Sequence, residues 1–212
     1  FLRSLPITQL PVGENRALVK SGLKFLRYPK RRGVIALEGI SGIEQPHKIQ
    51  SQHIGFRLGP RINAAGRLAD ATTALELLIT EDHAKAMELV QELDNRNRER
   101  QRITKEIIEQ SEEQVDAANN GYLLFAADPD FNAGVVGLAA SKLTDTYYRP
   151  SVIAHQGDEF TRASCRSIAE FHITEALEEC SDLLVRFGGH AAAAGFTVEN
   201  AKLNIFVEKL KG

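Results

Sequence analysis

The chain has 212 residues, 43% of them apolar and 25% charged, with a formal net charge of −2. That composition excludes a disordered or fibrous polymer and allows one large domain or two small ones, each with a real core. No run approaches the roughly 18 apolar residues of a membrane span and no charged-then-apolar leader opens the sequence, so neither membrane insertion nor secretion is expected. The two cysteines, Cys165 and Cys180, make no CxxC pair. They read as small buried hydrophobes in a reducing, cytoplasmic compartment. The near-neutral total hides an asymmetry. Residues 1–68 carry twelve Lys and Arg against three Glu, a net of +9, and residues 69–212 carry a net of −11. A segment this basic favours a polyanionic partner, and a contact between oppositely charged halves is the plainer account.

In chain order, Gly13-Glu14-Asn15-Arg16 leads into a short amphipathic helix carrying Leu18, Leu23 and Leu26. A basic turn follows at 28–33, then 34–37 and a glycine-rich break at 39–42. Residues 59–67 (GPRINAAGR) gather turn formers ahead of a long helical region. From Arg67 to Asn120 there are 54 residues without Gly or Pro. They predict one short helix up to Ile79, Thr80 as an N-cap, and a second helix from about 81 to 118. That second helix has apolar positions at both ends, but its middle (94–102, DNRNRERQR) has none. A helix polar all round at its centre is what a bridge between two domains requires. Beyond it the pattern becomes α/β. Strands are expected at 122–127, 151–155 and 160–168, and helices at 134–147 and 173–184. A glycine-rich turn at 187–190 should precede a strand at 196–198, with a terminal helix at 201–210. The order implies a mixed or parallel sheet flanked by helices.

Three clusters carry candidate chemistry. Gly188 and Gly189 allow close backbone approach to an anion, and His190 can donate to a phosphate. A tight turn with a core histidine explains the same residues. Ser164, Arg166 and Ser167 combine a guanidinium fork with hydroxyls, and on a strand Ser164 and Arg166 share a side. A solvated edge strand is the alternative. Arg61, Asn63 and Arg67 surround a glycine-rich loop before a helix and suit a phosphate backbone. They also suit a capping loop. Asp128 and Asp130 read as a turn cap, because no third acidic partner sits at metal-ligand spacing. No GxSxG, GxxxxGK[ST] or GxGxxG motif is present, so the chain shows no catalytic constellation.

Taken together, GENRALVKSGL (13–23), IGFRLGPRINAAGRL (54–68), LDNRNRERQ (93–101), AGVVGLAASKL (133–143), ASCRSI (163–168) and RFGGHAAAAGFTV (186–198) resemble the RecJ family. These are the single-stranded-DNA-specific exonucleases of the DHH phosphoesterase superfamily. The resemblance implies an α/β architecture with residues 1–79 as the end of a DHH domain and 80–119 as a long interdomain helix. Residues 120–212 would form a DHH-associated domain with a mixed sheet flanked by helices. It also implies a function: gripping single-stranded DNA for 5′→3′ phosphodiester hydrolysis with Mn or Mg, whose ligands would lie upstream of residue 1. Ser164, Arg166 and Ser167 fall on the phosphate-contacting strand of that family, and Gly188, Gly189 and His190 on its glycine–histidine motif. Arg61, Asn63 and Arg67 fall on the loop facing its cleft.

The departures set further expectations. Where the family carries its last metal aspartate, this chain reads Leu5-Pro6-Ile7-Thr8-Gln9-Leu10, and the family's GGGH appears as Phe187-Gly188-Gly189-His190. The chain is therefore expected to be a fragment or a degenerate relative, inactive alone, with single-stranded DNA and DNA-repair proteins as partners. The rivals are a superfamily phosphodiesterase for short RNA or cyclic dinucleotides, and a non-catalytic protein-interaction module. Without tryptophan, and with only four tyrosines, a broad stacking platform is not expected.

Overall fold

A computed structural model describes residues 13–68, 70–118 and 121–211. The Leu5 to Leu10 segment lies outside them. The chain divides into two compact units, one ending at Gln101 and the other resuming at Arg102, within one long helix.

Among the described residues the first unit is built of helices: α1 Gly13–Leu26, α2 Arg32–Ile40, α3 Ser51–His53, α4 Gly59–Leu68, α5 Thr72–Ile79 and the first half of α6 His83–Ala118. Its core gathers Leu37, Ile49, Leu58, Leu77, Val90 and Leu93. Gly33 makes the tight crossing of α2 on α5 possible. A Cβ there would lie 1.6 Å from the Leu77 carbonyl oxygen. Arg31 closes the same contact by donating from its guanidinium to the Leu78 carbonyl at 3.2 Å, at the C-terminal end of α5 where carbonyls lack helical partners.

Three expectations need correction here. The loop expected at 59–67 is helix α4, entered through a π-helical turn at Ile54–Leu58. Pro60 has no N–H to continue a regular helix. The wider turn accommodates it, with Gly59 N–H bonded five residues back to Ile54 and no room for a Cβ at Gly59. The N-cap of the long helix is Asp82 rather than Thr80. Asp82 accepts from the backbone of Ala84 and Lys85 at 2.7 and 3.3 Å, while Thr80 ends α5 in an extended conformation. The polar centre of α6 is also not solvated all round. Asp94 and Asn97 are buried, and Asp94 is held by Arg61 on α4 and Arg98 one turn along α6, both at 2.8 Å. The 36 residues of α6 give it a length of about 54 Å.

The second unit is a five-stranded mixed sheet in the order β1-β2-β3-β5-β4, from β1 Leu124–Asp128, β2 Ser151–Gln156, β3 Phe160–Arg166, β4 Leu184–His190 and β5 Ala193–Glu199. Only β1 and β2 are parallel, joined by α7 Val136–Tyr147; every other pairing is antiparallel. One face packs on α8 Ile173–Glu179 and α9 Leu203–Lys211. It buries Val152, Cys165, Phe196, Val198, Leu177 and Phe206. The Phe196 and Phe206 rings meet there at 4.6 Å. Gln114 of α6 accepts from the Ala127 N–H at 3.1 Å, occupying a donor of β1. Strand β4 overturns the turn expected at 187–190 and shortens the helix expected at 173–184, which stops at Glu179. Paired glycines have low strand propensity, which masked it.

Two outcomes follow from the first unit. Gly33→Ala should destabilise the chain by about 2 kcal/mol or more through overpacking, read as a lower urea midpoint. Glu38 is buried on α2, its Oε1 unbonded, and burial pushes its carboxyl from 4.5 up to about 7. The folded chain thus keeps a proton that the unfolded chain releases, so stability should fall as pH rises from about 4.5 to 7. Glu38→Gln should flatten that fall, gaining about 1–3 kcal/mol on the parent between pH 5 and 7.5 in urea titrations.

Candidate nucleic-acid interface

Successive residues of a strand alternate between faces, and residues directly opposite on neighbouring strands share one. Cys165 lies in the α8–α9 core, so Arg162, Ser164 and Arg166 of β3 face the other way. The register extends that face. Arg166 stands opposite Ala193, which stands opposite His190; Ser164 opposite Gly195 and Gly188; Arg162 opposite Thr197 and Arg186. Helix α7 covers the same face only over the β1–β3 side. Val136, Ala139, Ala140 and Leu143 are buried there. The β3–β5–β4 side keeps Arg162, Arg186, Gly188 and His190 exposed.

Arg166 is held in place. Its Nε donates to Ser141 Oγ at 3.1 Å and its guanidinium to the Cys165 carbonyl at 2.7 Å. Gly137, in the first turn of α7, lies so near that a Cβ would sit 3.3 Å from both the Arg166 guanidinium and Ser164 Oγ. The α7 N-terminus has no side-chain cap. It brings its positive dipole end beside Ser164 and Arg166, a setting that favours an anion. His190 is exposed, with Nδ1 accepting from Ala192 N–H at 3.3 Å and its carbonyl accepting from Thr174 Oγ1 at 2.9 Å. The Cys165 thiol is buried and pushed up to about 12, which leaves it inert as a nucleophile.

The structure thus brings Ser164, Arg166, Gly188 and His190 onto one face. Ser167 does not join them. It follows the end of β3, is buried, and its hydroxyl donates to the Phe171 carbonyl at 2.7 Å. Gly189 is structural in its own right. Its φ is +154°, and a Cβ would lie 2.4 Å from the Ala193 carbonyl oxygen. In the other unit Arg61 is spent on Asp94 and on the Arg57 carbonyl, both at 2.8 Å. Asn63 is exposed, and Arg67 lies close enough to Arg100 to lower the pKa of that guanidinium, after burial, the larger cause. Because α4 is a helix, Arg61 and Asn63 point in different directions, whereas Asn63 and Arg67 are four apart and share a face. Arg162 and Arg186 were not singled out from sequence. Alternation from Ser164 reaches Arg162, and alternation from Gly188 reaches Arg186 once 184–190 is known to be a strand.

Among the described residues no group of three or more His, Cys, Asp or Glu could hold a metal ion. Asp128 does cap its turn, accepting from Asp130 N–H at 2.9 Å. These residues do not fit a divalent-metal centre.

A mixed sheet with a glycine-histidine strand matches a known domain class: residues 119–212 match the family model described as the DHHA1 domain. Over most of its length the chain also matches the single-stranded-DNA-specific exonuclease RecJ of Bacillus subtilis, 38% identical over 189 residues. It matches RecJ of Thermus thermophilus at 36% over 199 residues. The crystal structure of the Thermus RecJ in complex with Mn2+ superposes with a TM-score of 0.84 at 35% identity, covering 94% of this chain and 29% of that one. The chain is homologous to a segment of these RecJ proteins over most of its own length. It covers 24% and 28% of the lengths of the Bacillus and Thermus relatives, which in turn cover 88% and 94% of it.

The two glycines of the motif should behave differently. Gly188→Val should leave the melting temperature unchanged, because a Cβ there meets nothing within 4 Å. Gly189→Ala should destabilise by about 2 kcal/mol or more. Thermal denaturation followed by circular dichroism separates them.

Proposed function

We propose that this chain is the DNA-gripping portion of a RecJ-like 5′→3′ single-stranded-DNA exonuclease. The observation that carries the reading is the glycine-floored basic face of β3, β5 and β4, with Arg166 fixed between Ser141 and the strand backbone. Cations and an uncapped helix end attract phosphate, and missing side chains admit a backbone closely. Residues 1–79 are the end of a DHH domain, 80–119 the connecting helix and 120–212 the nucleic-acid-binding domain. Hydrolysis uses Mn or Mg held by residues outside the described ones; the Thermus RecJ was solved with each ion. The chain alone is inactive. Ser164, Arg166, Gly188, Gly189 and His190 serve the grip, Gly189 through the shape of β4. Within the helical unit Asn63 offers hydrogen bonds and Arg67 a positive charge to a phosphate backbone, while Arg61 acts through α6. Among the described residues no helix is long and apolar enough to cross a membrane. The reading places the parent enzyme in the cytoplasm with DNA-repair partners.

Fluorescence anisotropy of a 5′-labelled single-stranded DNA oligomer over a salt series tests this. Affinity should fall steeply with salt, and Arg166→Ala should weaken binding about tenfold at low salt. Absence of binding at low salt would overturn the reading, and with tight binding to a protein partner would select an interaction module. Preference for an RNA dinucleotide over the DNA oligomer would select a short-RNA phosphodiesterase.

A further inference from the structure

We infer that the exposed face of β3, β5 and β4 is a trough with two basic walls, and that Arg162 and Arg186 form the second wall, a phosphate-contacting subsite separate from that of Ser164 and Arg166. The inference rests on the proposed grip and deepens it. Three rows cross the strands: Arg166–Ala193–His190, Ser164–Gly195–Gly188 and Arg162–Thr197–Arg186. Two of the three members of the middle row are glycine, so it forms the floor. The outer rows are four residues apart along β3, roughly 13 Å from one to the other. A phosphodiester strand running along β3 over this glycine floor meets the Arg166 row first and the Arg162–Arg186 row further on, so only a longer oligomer reaches both.

The second wall is arranged for an anion. Arg186 Nε donates to Thr197 Oγ1 at 3.2 Å, which holds the guanidinium over β5. Arg162 flanks Thr197 from the other side, on β3. Both arginines are exposed, and neither is in an ion pair with a carboxylate of the described residues. Residues 120–212 carry twelve Asp and Glu against eight Lys and Arg. Three of those eight, Arg162, Arg166 and Arg186, nevertheless converge on this one face. The only acidic residue that the three strands contribute is Glu199, at the end of β5, and Lys202 takes it at 3.2 Å. Solvation alone does not require arginines to line up on one face of an acidic domain. A linear polyanion does.

The ligand class is a single-stranded polynucleotide longer than the reach of the Arg166 site alone. The test uses the full 212-residue chain with 5′-phosphorylated dT2 and dT12, by anisotropy and competition at several salt concentrations. Arg162→Ala, Arg186→Ala and the double variant should each bind dT12 more weakly. The losses should be about fivefold for each single change and larger for the double, and the slope of log affinity against log salt should shrink by about one unit per arginine. Binding of dT2 should be unchanged, and so should the circular-dichroism melt. Losses equal on dT2 and dT12, or an unchanged salt slope in the double variant, would overturn the second wall. If Arg166→Ala still weakens both oligomers in that case, the grip stands and only this inference falls. If Arg166→Ala also changes nothing, the proposed function falls with it.

Discussion

The close approach of α7 to β3 is the constraint on which the candidate interface depends. Gly137 and Ser141 leave a slot just wide enough for the Arg166 guanidinium, which bonds Ser141 and its own strand's backbone. A long, flexible cation is thereby turned into a fixed one, so less side-chain entropy remains to be lost when an anion arrives. The same approach puts the uncapped start of α7 next to Ser164. A larger residue at position 137 would push the helix off the strand and separate the dipole end from the guanidinium.

The sheet divides its labour by pleat. One set of alternate residues builds the α8–α9 core, and burial of Cys165, Phe196 and Val198 there fixes the register. With the register fixed, the opposite set has no freedom left: Arg162, Ser164 and Arg166 must face away from that core. Because β5 and β4 follow in register, two glycines fall beside Ser164 and two more polar rows fall on either side. The bulge at Val185, between Leu184 and Arg186, is part of this geometry, since it brings Arg186 opposite Thr197.

In the helical unit a charge network does the comparable ordering. Asp94 is buried and receives Arg61 from α4 and Arg98 from its own helix, so a carboxylate that would be costly alone is satisfied from two directions. That network ties α4 to α6 and uses Arg61 for structure. It also explains why a stretch with no apolar residue can still pack. Asp94 and Asn97 form a buried polar face on a helix whose exposed face is charged.

By itself the sequence determined much of this protein. Alternation and apolar runs placed β1, β2 and β3. The absence of Gly and Pro after Arg67 revealed the long helix, and small residues marked α7. The motif set pointed to the RecJ family, and period two put Ser164 and Arg166 on one side. These are local properties, written in a few neighbouring residues. Tertiary structure alone decided the rest. Gly188 and Gly189 read as a turn because glycine has little strand propensity, and only pairing with β5 makes them a strand. Arg186 could not be aligned with Arg162 until that pairing existed. Ser167 read as a phosphate ligand, but the strand ends one residue earlier and its hydroxyl turns inward to Phe171. Arg61 read as a DNA contact, but a carboxylate 33 residues away claims it. Contacts between residues distant in sequence settle which polar groups are free to meet a ligand, and no local pattern encodes them.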